Sequence, residues 1–89
     1  MKIDKSTLDG ITASATGVKV DAFALGDAIE IVDKSKITGA VNVENGECFI
    51  VVGIQRDTPT SHGFITIVDN NAEDFHILES EFGGIQWIA

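Results

Sequence analysis

Residues 48–54 read CFIVVGI, apolar on both alternating phases: Cys48, Ile50, Val52 and Ile54 lie on one and Phe49 and Val51 on the other. Successive side chains of a strand point to opposite faces, so this run predicts a central strand covered on both sides, the heart of a core. The rest of the chain supplies period-two segments to cover it. Val18, Val20 and Ala22 alternate with Lys19 and Asp21, and Ile29 and Ile31 flank Glu30 after the turn LGD at 25–27. GFITIVD (63–69) and DFHILE (74–79), joined by NNAE, predict a β-hairpin. SEFGG (80–84) reads as a short turn or 3₁₀ segment and IQWIA (85–89) as a final strand. No interval of ten or more residues carries apolar positions at helical spacing among good helix formers. The expectation is an all-β domain of five to six short strands, whose edges a small barrel would hide.

Two polar stretches separate these segments. KSKITGAVNVENGE (34–47) is a long connection containing the short alternation Val41, Val43, and QRDTPTSH (55–62) holds Pro59 among turn-forming residues. Residues 1–17 show neither period and read as an N-terminal arm or edge strand, with residues 18–89 forming the domain. STLD (6–9) matches a helix capping box, but the Gly, Ser and Thr of the following GITASATG do not support a helix.

A chain of 89 residues is one domain long enough to bury a core without a metal, disulfide or cofactor. Its single cysteine, Cys48, sits in the apolar run and reads as a small hydrophobe. No apolar run has the length of a membrane span, and the start MKIDKSTLDG lacks the hydrophobic stretch of a secretion signal. A cytoplasmic setting without membrane contact follows as the expectation. The formal charge is −8, and beyond residue 40 Arg56 stands alone among eight carboxylates. A phosphate-backbone binder needs clustered Lys and Arg, so direct nucleic-acid binding is disfavoured.

FALGDAIEIV, GECFIVVGI, GFITIVDNNAEDFHIL and ESEF, in that order, resemble the SH3-like small β-barrel superfamily over about three quarters of the chain. Small phage-encoded proteins of this style look alike in the same way. The resemblance implies a Gly-Asp turn before the first core strand, a hairpin of third and fourth strands, and a 3₁₀ turn before the last. It does not carry a peptide-binding groove, because the chain has no Tyr, and Phe49, Phe64 and Phe75 read as packing residues rather than an aromatic cage. The acidic loops also depart from the basic loops of RNA-binding barrels. Fold alone does not assign function.

Chemistry-bearing patterns are weak. A calcium loop begun at Asp69 would need Gly at its sixth position and Glu at its twelfth, where Asp74 and Ser80 stand. Cys48, His62 and His76 lack the paired spacing of zinc ligands. Asp57, Ser61 and His62 are sequence neighbours, which rarely point at one another as a triad must. No enzymatic activity is expected. The strongest surface feature is the acidic set Asp69, Glu73, Asp74, Glu79 and Glu81, with Trp87 as a candidate anchor. It predicts a non-enzymatic binding module that docks on a protein partner with a basic surface, such as a phage inhibitor or accessory protein. Two alternatives stand beside it. One is an acidic nucleic-acid mimic occupying a DNA- or RNA-binding protein; the other is a structural subunit that self-associates through residues 1–17 and an exposed strand edge.

Overall fold

The computed structural model describes residues 2–4 and 11–88. The capping-box reading of STLD falls on residues 6–9 and lies outside them. Two antiparallel sheets account for the described strands. The first has the order β1-β4-β3-β8-β2, made by β1 (Lys2–Ile3), β2 (Thr12–Ser14), β3 (Ala28–Ile31), β4 (Cys48–Ile50) and β8 (Ile85–Ile88). The second has β5 (Gly53–Gln55), β6 (Phe64–Val68) and β7 (Asp74–Leu78) in sequence order. The chain is all-β, as the periodicity predicts, but with more and shorter strands than five to six. The sheets keep separate borders, so the expected barrel is not closed.

The main correction concerns CFIVVGI, which is not one strand covered on both sides. The Val51 N–H donates to the Asp27 carbonyl and its own carbonyl accepts from Gly26, both at 2.9 Å, which holds it beside β3. One residue on, the Val52 N–H donates to the Thr66 carbonyl at 2.8 Å, in the other sheet. A strand that changes sheets turns a corner, and its pleat breaks there. Val52, expected on a buried phase, is instead 45% exposed. Gly26 serves the same junction at φ 91°, a left-handed conformation that glycine adopts without steric cost.

A second correction is local. Val18–Ala22 does not form a strand: Val20–Ala22 is a 3₁₀ turn in which only Val20 is buried. The Val20 N–H goes to the Glu79 carboxylate at 2.7 Å instead of to a neighbouring strand. Residues 1–17 contribute both borders of the larger sheet, with Lys2 opposite Phe49 and Thr12 opposite Ile88. The 3₁₀ segment expected at SEFGG spans Glu79–Gly84.

The core lies between the sheets. Cross-strand register puts Ile29, Phe49 and Trp87 side by side, and Ile31 beside Ile85, on the inner face of the first sheet. Ile65, Ile67 and Ile77 face them from the second, all fully buried. Phe23 and Phe82 close one end, ring centroids 4.8 Å apart and edge to face, an arrangement favoured by the ring quadrupoles. No helix among the described residues is long and apolar enough to cross a membrane.

Gly84 is where the 3₁₀ turn touches the rest. Its carbonyl accepts from Val32 and Asp33, and a Cβ there would sit 2.7 Å from the Asp33 carbonyl oxygen and 2.8 Å from Ile37 Cγ1. Gly84→Ala should therefore lower unfolding free energy by about 1–3 kcal/mol, the usual cost of overpacking. Gly83→Ala, whose added carbon meets nothing nearer than 3.8 Å, should stay within about 0.5 kcal/mol of the parent when both variants are unfolded in urea.

Candidate protein-binding face

The acidic residues singled out in the sequence divide into two groups once the hairpin is built. Asp69 ends the first arm of the hairpin and is buried. One carboxylate oxygen accepts from the Asn71 and Glu73 N–H groups at 2.9 and 3.0 Å, and the other from Asn42 Nδ2 at 3.2 Å. This is the local backbone capture for which Asp and Asn are favoured in turns. It holds a three-residue loop whose last member, Ala72, lies at φ 60°, a position usually filled by glycine. The Asn70 N–H donates to the Asn42 carbonyl and its amide nitrogen to Glu47, so the hairpin tip is tied to the connection 34–47.

Glu79 and Glu81 are occupied in the same way. Glu79 accepts from the Val20 N–H and pairs with Lys19 Nζ at 3.3 Å. Glu81, buried on the 3₁₀ turn, accepts from the Leu78 N–H at 2.9 Å and the Thr38 N–H at 2.6 Å. It joins the end of β7 to Thr38 in the connection 34–47. Trp87 turns inward and packs on Phe23 with centroids 4.4 Å apart, which closes the end of the core. Of the six residues singled out, Glu73 and Asp74 alone present exposed carboxylates. The five acids do not build one continuous negative face.

Those two carboxylates border a surface that sequence reasoning missed. In β6, Ile65 and Ile67 point into the core, so Phe64, Thr66 and Val68 lie on the opposite face, where Thr66 is covered and Phe64 and Val68 are half-buried. Across the ladder they stand opposite Leu78, His76 and Asp74. Phe64, read from the sequence as a packing residue, stacks on His76 with centroids 4.1 Å apart and planes 18° apart. The two are diagonal neighbours on one sheet face, within reach of aromatic side chains. Leu78, 36% exposed, extends the apolar part, and Asp74 gives it an acidic end. The signal was present in the phase of GFITIVD, where Phe64 falls with Thr66 and opposite the two isoleucines.

Other arrangements offer less chemistry. A cleft of about 360 Å³ is lined by Lys19, Val20, Asp21, Arg56, Asp57 and Glu79. Its cations are already paired, Lys19 with Glu79 and Arg56 with Asp21 at 2.6 Å. The Asp57 carboxylate accepts from the Gly63 N–H and the Ser61 hydroxyl points to the His62 carbonyl, so the three residues do not assemble as a triad. No group of three His, Cys, Asp or Glu side chains among the described residues is placed to hold a metal ion. Lys2 and Lys34 pair with Glu47 and Glu44 at 2.6 and 3.3 Å. Comparison with protein-family models, curated proteins and solved structures finds no match.

Two measurements separate the internal carboxylates from the surface ones. Glu81→Ala leaves two N–H groups without their charged acceptor and should cost about 1.5–3 kcal/mol of stability. Glu73→Ala should change it by less than about 0.5 kcal/mol. The second measurement is acid sensitivity. The Glu73 N–H foremost, with those of Asn71 and Asn42, holds the Asp69 carboxyl below its ordinary 3.8 against the opposing effect of burial. At Glu47 burial penalises the charge, but bonds from Lys2, Asn70 and the Glu44 N–H outweigh it and the pKa falls below 4.5. A group with a depressed folded-state pKa stabilises fully above its unfolded value and stops doing so as pH falls through the folded one. Urea midpoints should thus fall as pH drops below about 4, and Asp69→Asn should show a smaller acid loss than the parent.

Proposed function

We propose that this chain is a non-enzymatic protein-binding module of SH3-like arrangement, docking on a partner with a basic surface through the outer face of β6 and β7. The SH3-like part is supported by the order of elements. A strand passes from one sheet to the other at Val51–Val52, a hairpin follows, and a 3₁₀ turn leads into β8, which returns beside β3. The docking part is carried by one observation: a stacked Phe64–His76 pair on the outer sheet face, with the exposed Leu78 on one side and the exposed Asp74 on the other. Lys and Arg side chains lay their aliphatic stems or guanidinium planes against such rings, and a carboxylate beside the rings meets the charged head. Glu73 and Asp74 also add to the long-range field of a chain of charge −8, which steers a basic partner and raises its association rate.

Affinity capture from an extract of the source organism tests this reading, with the parent and the variants Asp74→Lys and His76→Ala used side by side. The parent should retain a saturable partner whose affinity falls as salt rises from about 0.1 to 0.5 M, where the screening length drops below roughly 10 Å. Both variants should keep the parent circular dichroism spectrum and bind that partner about tenfold or more weakly. Absence of a saturable partner, or one indifferent to salt and to both substitutions, would refute the reading.

A further inference from the structure

The docking reading leaves one feature of the same region unused, the free border of the three-stranded sheet. Along the β6–β7 ladder the Asp69 N–H donates to the Glu73 carbonyl at 2.9 Å and the Glu79 N–H to the Gly63 carbonyl at 3.0 Å. Antiparallel ladders alternate, so the backbone groups of residues 73, 75, 77 and 79 face β6, and those of Asp74, His76 and Leu78 turn away from it. The outward Leu78 N–H is taken by Glu81. The outward groups of Asp74 and His76 meet no backbone partner among the described residues. β7 is also the longest border strand, five residues against two or three in β1, β2 and β5. The open part of this border is Asp74–His76, between the bond of Asn70 to Asn42 and that of Leu78 to Glu81, and such a stretch is a template for one more strand.

Charge decides what that strand is. A second copy of β7 laid antiparallel about His76 would set Glu73 opposite the copy's Glu79, and like charges facing across a ladder repel. A basic segment instead sets Lys or Arg opposite Asp74, whose exposed carboxylate lies on the outer face, and leaves uncharged residues opposite Glu73 and Glu79. Side chains directly opposite one another share a face, so residues facing Asp74 and His76 would lie over the outer surface, beside Phe64. Residues between them would point toward the half-buried Phe75. We propose that β7 accepts an extended segment of the partner as a fourth, antiparallel strand, with Lys or Arg at alternate positions over the outer face and aliphatic residues between. This inference rests on the docking reading and adds the mode of recognition.

The test uses the full chain and a capped peptide of alternating Lys and Val about as long as β7, followed by amide NMR. Binding should slow hydrogen exchange at Asp74 and His76 about tenfold or more, by closing bonds that are open in the free protein. The residues opposite Asp74 and His76 are those whose N–H groups face β7. Backbone N-methylation of the Lys residues should therefore weaken binding about tenfold or more, and N-methylation of the Val residues should not. Failure of the peptide to bind, or equal binding by both methylated forms, would overturn strand addition. Salt-sensitive binding that ignores N-methylation would overturn it too, while leaving the docking face intact.

Discussion

The two sheets depend on one stretch of backbone, the passage from β4 to β5, where Val51 bonds to the Gly26–Asp27 turn and Val52 to Thr66. Each sheet is too small to hide its own apolar face, and the shared strand fixes them at the separation that lets Ile29, Ile31 and Phe49 meet Ile65, Ile67 and Ile77. The hairpin inherits its position from this junction, since β5 carries the register of β6, and β6 that of β7. The outer face bearing Phe64 and His76 is the other side of the same alternation that fills the core.

Much of the fold was legible because period-two patterning and turn chemistry act locally. The hairpin, the 3₁₀ turn and the last strand follow from residues within a few positions of one another. The bend inside CFIVVGI was hidden for a physical reason: a strand apolar on both phases looks the same whether it is sandwiched between layers or passes from one sheet to another. Val18–Ala22 misled in the opposite sense. Its alternation is real, but the Val20 N–H is captured by Glu79, a residue distant in sequence, and no neighbouring strand is available to it.

The candidate site was less legible than the fold. Counting carboxylates cannot separate those facing solvent from those accepting backbone N–H groups, and Asp69, Glu79 and Glu81 all do the latter. The excess of carboxylates beyond residue 40 therefore reflects internal needs as well as surface charge: N–H groups at turns require acceptors, and carboxylates are strong ones. The stacked pair of Phe64 and His76 requires the cross-strand register, which no single segment contains.

The borders of the larger sheet bear on how the molecule assembles. β2 has no strand to pair with until β8 is in place, and β8 lies at the far end of the described chain. Contacts of such sequence separation close the longest loops available, and topologies built on them fold slowly. The β6–β7 hairpin closes its contacts over a short loop, whereas the five-stranded sheet is complete only with Ile85–Ile88. The face proposed to meet a partner is thus built on the most local pairing in the molecule, and its placement on the least local.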